Sequence, residues 1–107
     1  MSEQQLVNAA KNYLMIKGCF VWRNNSGVTH STYTDKRGVR RDRMWRSGVR
    51  GGADIIGITK TGQFIAIECK IGRNKPTDIQ NAFLHEIESR GGITGVIYSL
   101  EDLQKIC

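Results

Sequence analysis

Leu6, Ala9, Ala10, Tyr13, Leu14 and Ile16 recur at the three- and four-residue intervals of one helix face. Ser2 followed by Gln5 has the form of a capping box, and Gly18 ends the run, so a first helix is predicted between them. Cys19–Asn24 (CFVWRN) reads as a strand, with Phe20 and Trp22 together on one face and assigned to the core. Ala53–Thr59 and Gln63–Lys70 are isoleucine-rich strands separated by Lys60-Thr61-Gly62, a spacer that fits a three-residue hairpin loop with glycine in the left-handed position. Thr77 with Gln80 forms a second capping box. It opens a helix with Ile79, Ala82, Phe83 and Ile87 on one face, ended by Gly91-Gly92. Ile93–Tyr98 is a further strand, and Ser99 caps a short last helix. The long stretch from Asn25 to Gly52 is glycine-dotted and polar. Its segments Val28–Thr34 and Val39–Arg46 are predicted to pair across Asp35–Gly38 as a projecting hairpin. The order α-β-(arm)-β-β-α-β-α defines an α/β protein with a mixed sheet flanked by helices.

At 107 residues the chain is expected to form one domain, residues 1–107. Its 39% apolar and 24% charged content excludes a disordered or collagen-like chain. No apolar run approaches the ~20 residues of a membrane span, and the N-terminus lacks a signal pattern, so a cytoplasmic protein without membrane contact is expected. Cys19, Cys69 and Cys107 contain no CxxC and are expected to be reduced thiols. His30 and His85 do not join them at zinc-ligand spacing.

The net charge of +6 has a definite address. Within residues 36–50, Lys36, Arg37, Arg40, Arg41, Arg43, Arg46 and Arg50 stand against a single acid, Asp42, and account for all of it; the rest of the chain balances nine bases against nine acids. A neutral domain therefore carries one cationic arm, at about residues 26–52. Six of its seven bases are arginines, whose planar fork suits bidentate contact with phosphate. Tyr33, Met44 and Trp45 could stack on bases or pack under the arginines. A solvated loop, or a patch for an acidic protein or membrane, is the plainer alternative. The glycines Gly38, Gly48, Gly51 and Gly52 disfavour an amphipathic membrane helix. Arg23, Lys75 and Ser47 join the arm's arginines as candidate contacts to DNA.

In the second strand of the isoleucine-rich hairpin, Phe64, Ala66, Glu68 and Lys70 share one face, and Ile65, Ile67 and Cys69 the other. If the spacer is a three-residue loop, Thr59 pairs with Gln63 and Asp54 falls opposite Glu68, with Cβ atoms about 4.5–5.5 Å apart. Two facing carboxylates repel unless a cation lies between them. Lys70 is one candidate, and Mg²⁺ or Mn²⁺ fits better, with waters and a backbone carbonyl such as that of Cys69 completing the octahedron. A surface Asp–Lys–Glu ion-pair cluster is the alternative, but both acids sit at the ends of apolar strands.

These residues resemble the PD-(D/E)XK nuclease superfamily, with its restriction-endonuclease-like αβββαβ core. They are most similar to its virus-type replication-repair nuclease (VRR-NUC) family. The likeness covers nearly the whole chain: Glu3 in the first helix, Trp22-Arg23-Asn24 with Gly27, Gly51-Gly52 with Asp54, Glu68 and Lys70 of Glu-x-Lys, and Gln80 ten residues later. One departure is Ala53, where the family has proline before the aspartate. The resemblance implies that Asp54 and Glu68, with Glu3 and the Cys69 carbonyl, hold Mg²⁺ or Mn²⁺. It further implies that Lys70 orients water and steadies phosphate charge, and that Gln80 positions water or the lysine. It implies a homodimeric endodeoxyribonuclease acting on branched or double-stranded DNA, four-way junctions above all, from a phage or prophage source. A PD-(D/E)XK nuclease without junction selectivity and a catalytically silent DNA-binding module are the alternatives.

Overall fold

Both halves of the Ser2–Gln5 capping box form in the computed structural model. Ser2 Oγ accepts the Gln5 N–H at 3.1 Å, and Gln5 Oε1 accepts the Ser2 N–H at 2.8 Å. The structure describes residues 1–24, 27–47 and 52–107; for 27–33 and 42–47 it describes the backbone course alone. Arg50, Gly51 and Ser26 lie outside the described residues.

The elements are α1 (Glu3–Ile16), β1 (Phe20–Arg23), β2 (Gly27–Thr34), β3 (Arg40–Ser47), β4 (Ile55–Ile58), β5 (Phe64–Cys69), α2 (Asp78–Ser89), β6 (Ile93–Ile97) and α3 (Leu100–Gln104). β1, β4, β5 and β6 form one sheet in that order, antiparallel except for the parallel β5–β6 pair that α2 connects. A mixed four-stranded sheet flanked by helices is thus the architecture, as expected.

Strand alternation sorts the two faces into two cores. On one side Val21, Ile55, Ile65, Ile67, Cys69 and Ile97 pack against Leu6, Val7, Ala10 and Leu14 of α1 and Leu103 of α3. On the other, Ile56 and Ala66 meet Ala53 and Leu84 of α2, with Phe83, Ile87 and Val96 at the margin. The Tyr13 hydroxyl donates to the Cys107 carbonyl at 2.9 Å, fastening the last residues to α1.

Three packing expectations are corrected here. Ile16 is 85% exposed, and Val7 supplies the apolar contact in its place. In α2 the inward residues are Phe83, Leu84 and Ile87, while Ile79 and Ala82 are exposed. This rotation turns Gln80 toward the sheet. Phe20 and Trp22 are not core: both rings lie open, because α2 covers β5 and β6 and leaves the β1 half of that face uncovered.

The arm forms the expected hairpin, a separate two-stranded sheet with Thr34 paired to Arg40 and Gly27 to Ser47. A lone hairpin is marginal by itself, so its tip matters. Asp35 Oδ1 accepts the N–H groups of Arg37 and Val39, and Oδ2 accepts Arg41 Nε at 3.0 Å. Gly38 takes the left-handed conformation (φ 79°) that closes the turn. These bonds hold the Asp35 carboxyl below its ordinary range, the Val39 N–H contributing most. No described helix is long and apolar enough to cross a membrane.

Candidate active site

The spacer Lys60-Thr61-Gly62 makes the predicted loop, with Gly62 left-handed (φ 83°) and the Thr59 N–H donating to the Gln63 carbonyl at 2.9 Å. The loop sets the register Ile55↔Ile67 and Ile56↔Ala66, and one step further Asp54 stands opposite Glu68. The same row extends sideways. The Asn24 N–H donates to the Asp54 carbonyl at 2.8 Å, and Glu68 pairs with Val96 of β6.

Glu68 is 2% exposed, the one charged side chain in the buried set among the described residues. Its Oε1 accepts Gln80 Nε2 at 3.3 Å and lies 3.8 Å from Lys70 Nζ, an ion pair too long for a hydrogen bond. Its Oε2 has no hydrogen-bond partner. A buried carboxylate oxygen left in this state is costly and needs a proton or a cation. Asp54 supplies neither while ionised. Its Oδ2 instead accepts the Cys69 N–H at 2.9 Å, which fixes the aspartate at the strand end.

The Glu68 carboxyl is accordingly pushed up to about 8. Burial is the main cause, then the adjoining Asp54 carboxyl and its charge; Lys70 opposes these and Glu3 adds to them. Without a cation, the pair holds a proton at neutral pH. The Cys69 thiol faces the α1 core and is pushed up to about 12, chiefly by burial, so it is an inert thiol whose main chain alone borders the site.

Gln80 has two tasks. Its Oε1 accepts the Thr77 N–H at 2.9 Å, completing the capping box of α2, while its Nε2 reaches Glu68. One amide therefore ties the helix start to the buried acid. Gln80→Ala should lower thermal stability by about 1–3 kcal/mol, from the lost cap and the further orphaned acid. Gln80→Glu preserves the cap geometry but sets a third carboxylate against Glu68, so it should be destabilised more at pH 8 than at pH 5. Equal melting of Gln80→Glu and wild type at both pH values would mean that the Gln80–Glu68 contact carries no energy.

Asp54, Glu68, Lys70 and Gln80 are thus brought together. Glu3 sits in the first turn of α1, near enough for its charge to act on Glu68 and Cys69, but it does not join the acids as a third ligand. No group of three or more His, Cys, Asp or Glu placed to hold a metal exists among the described residues. The two carboxylates nevertheless fit one divalent cation with oxygen ligands. Glu68 Oε2 is left without a hydrogen-bond partner, and water or main-chain oxygens suit the rest of a Mg²⁺ shell.

Of the candidate DNA contacts, Arg23 is exposed but alternates onto the α1 side, opposite the acid pair. Lys75 is exposed in the loop before α2. Arg37 and Arg40 are exposed at the hairpin tip, and Arg41 is partly committed to Asp35. Arg43, Arg46 and Ser47 lie on β3, and their side chains, like Arg50 as a whole, fall outside what the structure describes. Trp22 is a functional candidate that strand alternation alone assigns to the core. In β1 only Val21 of four residues is buried, and alternation by itself does not tell which face is covered. No family model matches the chain, and no curated protein matches it.

Proposed function

We propose that the chain is a Mg²⁺- or Mn²⁺-dependent endodeoxyribonuclease of the PD-(D/E)XK type, with a restriction-endonuclease-like core of the virus-type replication-repair nuclease kind. The observation that carries this is Glu68: buried, one oxygen without a partner, facing Asp54, with Lys70 at 3.8 Å. Asp54 and Glu68 would hold the metal, with the Cys69 carbonyl beside them. When bound, the metal supplies Lewis acidity toward the scissile phosphate and a nucleophile at neutral pH. Lys70 keeps a cation beside the charge that develops on phosphate, in a largely water-excluded position (14% exposed). Gln80 holds the Glu68 carboxylate in its rotamer through Oε1, leaving Oε2 for the metal.

The arm's arginines read phosphates and helix shape, not base sequence. With one site per chain, a homodimer making paired cuts in four-way DNA junctions is the most specific form of the proposal. Cleavage of a labelled junction, the matched linear duplex and the single strand, each with Mg²⁺, Mn²⁺ or EDTA, tests it. Symmetric metal-dependent cuts confined to the junction are expected. Metal-dependent cutting of all three substrates removes the junction selectivity, and binding without cutting removes the nuclease.

The arm makes a separate prediction. Arg40→Gln with Arg43→Gln should weaken DNA binding and flatten its log–log salt dependence by up to ~0.9 per lost phosphate contact. Arg41 is kept, because it closes the tip through Asp35. Fluorescence anisotropy between 50 and 200 mM salt, roughly the range over which such contacts weaken, reads the slope. An unchanged slope would mean that these two residues do not meet phosphate.

A further inference from the structure

On the face that carries Asp54 and Glu68, the residues fall in cross-strand rows. The first row holds Asn24, Asp54 and Glu68, the next Trp22, Ile56 and Ala66, and the third Phe20, Ile58 and Phe64. α2 closes over the β5 half of the second row, where Ala66 and Ile56 are buried. The β1 half stays open: Trp22 is 42% and Phe20 74% exposed, their ring centroids 5.6 Å apart and inclined by 59°. Trp22 pairs with Ile56, so it stands diagonally across from Asp54, a step of about 7–8 Å between strand positions.

An open tryptophan face one step from a phosphate-cutting site has a natural occupant. We infer that Trp22, backed by Phe20, is a stacking platform for an unpaired nucleobase next to the scissile phosphate. This inference rests on the nuclease reading above. A base within intact duplex has both faces covered by its neighbours, whereas an unstacked base presents a full π-face to an aromatic ring. The platform therefore selects for DNA that is frayed, gapped or branched at the cut, which the arm's contacts to phosphate do not by themselves achieve.

Charge favours a nucleic acid over a second copy of the chain on this surface. The segment between Asn24 and Asp54, which leaves the sheet after β1, the strand that carries the open rings, and returns before β4, holds seven bases against Asp35 and Asp42, +5 of the chain's net +6. A polyanion is drawn to that end of the sheet, and a second copy seated there would set like charges together. The homodimer proposed above then uses another surface.

Trp22→Leu and Trp22→Phe separate stacking from packing, since leucine keeps apolar volume without a π-face. Both are made on the Asp54→Asn background, so that binding is measured without cleavage. Trp22→Leu should bind single strand, and duplex with a two-nucleotide unpaired gap, about tenfold more weakly. It should bind fully paired duplex unchanged, and Trp22→Phe should stay within about threefold of the parent on every DNA. Abasic sites in the gap should erase the difference between parent and Trp22→Leu. Equal loss on paired and gapped DNA, or no loss on either, overturns the platform. A shift from dimer to monomer on Trp22→Leu in light scattering also overturns it, because the face would then be a protein interface. Failure of the wild type to cut with any metal defeats the nuclease reading, while the abasic comparison still reports on stacking.

Discussion

Asp54→Asn and Lys70→Ala should each reduce metal-dependent DNA cleavage by at least about a hundredfold while leaving DNA binding within a few-fold of wild type. The asymmetry follows from what each substitution removes. Asparagine can still accept the Cys69 N–H that Asp54 now accepts at 2.9 Å, so the strand end keeps its shape and loses only its charge. Lys70 makes no hydrogen bond to Glu68 at 3.8 Å, and its backbone N–H to the Ile97 carbonyl is untouched by truncation. On the proposed mechanism, what disappears is a cation beside the developing phosphate charge, a group of a kind whose removal costs about 3–4 kcal/mol. In the proposed nuclease the two groups serve one reacting centre, so the double variant should lose much less than the product of the single losses. Single-turnover cleavage with parallel gel-shift binding measures both quantities. Cleavage by Lys70→Ala within tenfold of wild type would remove the lysine from the chemistry.

The metal-free protein should lose stability as pH rises from about 5 to 8. In the unfolded chain Glu68 titrates near its ordinary value of 4.5, and in the folded chain near 8. Between those limits the folded state keeps a proton that the unfolded state has released, so unfolding becomes easier with each step in pH. The contribution is complete below about 4.5 and lost once pH passes 8. Its upper bound is on the order of 4–5 kcal/mol, because each tenfold gain in proton affinity on folding is worth about 1.36 kcal/mol. For a chain of this size that bound corresponds to a fall in melting temperature of up to roughly twenty degrees.

Glu68→Gln should flatten the profile and melt higher than wild type at pH 8. The amide keeps an oxygen for Gln80 and offers Asp54 a permanent hydrogen. Mg²⁺ or Mn²⁺ should raise the wild-type melting temperature at pH 8 more than at pH 5, where protons compete for the same oxygens, and should do little for Glu68→Gln. Melting followed by circular dichroism in EDTA and in metal is sufficient. A wild-type profile flat between pH 5 and 8 in EDTA would show that the buried acid is not titrating in this window.

The difference between what is legible in the chain and what is not follows the range of the interactions. The capping boxes at Ser2–Gln5 and Thr77–Gln80 involve residues three apart, and both form as read. The facing of Asp54 and Glu68 depends only on a three-residue loop and strand alternation, so it too follows from local rules. Gln80 is harder. Its cap is local, but its reach to Glu68 requires α2 to turn Phe83, Leu84 and Ile87 inward, a rotation that the helix periodicity alone places differently. Trp22 is harder still, since alternation correctly put it on one face with Phe20. Whether that face is covered depends on how far α2 extends across the sheet, and no residue near Trp22 encodes that distance. Glu3 likewise depends on how α1 docks, and its position near the acids without joining them is a property of packing.

The bond from the Asn24 N–H to the Asp54 carbonyl closes the sheet across the base of the arm, so the register of β1 and β4 continues to the point where the arm begins. Everything between these two residues is, to the sheet, a loop. Closing a loop grows costlier only with the logarithm of its length, at about 0.6 kcal/mol per doubling, so an arm of this size costs only about 2 kcal/mol more than a tight turn. An insertion that inexpensive can lengthen, shorten or be exchanged without moving the carboxylates beside its root. On the proposed function, grip on the substrate and cleavage of it are therefore separable properties of one chain.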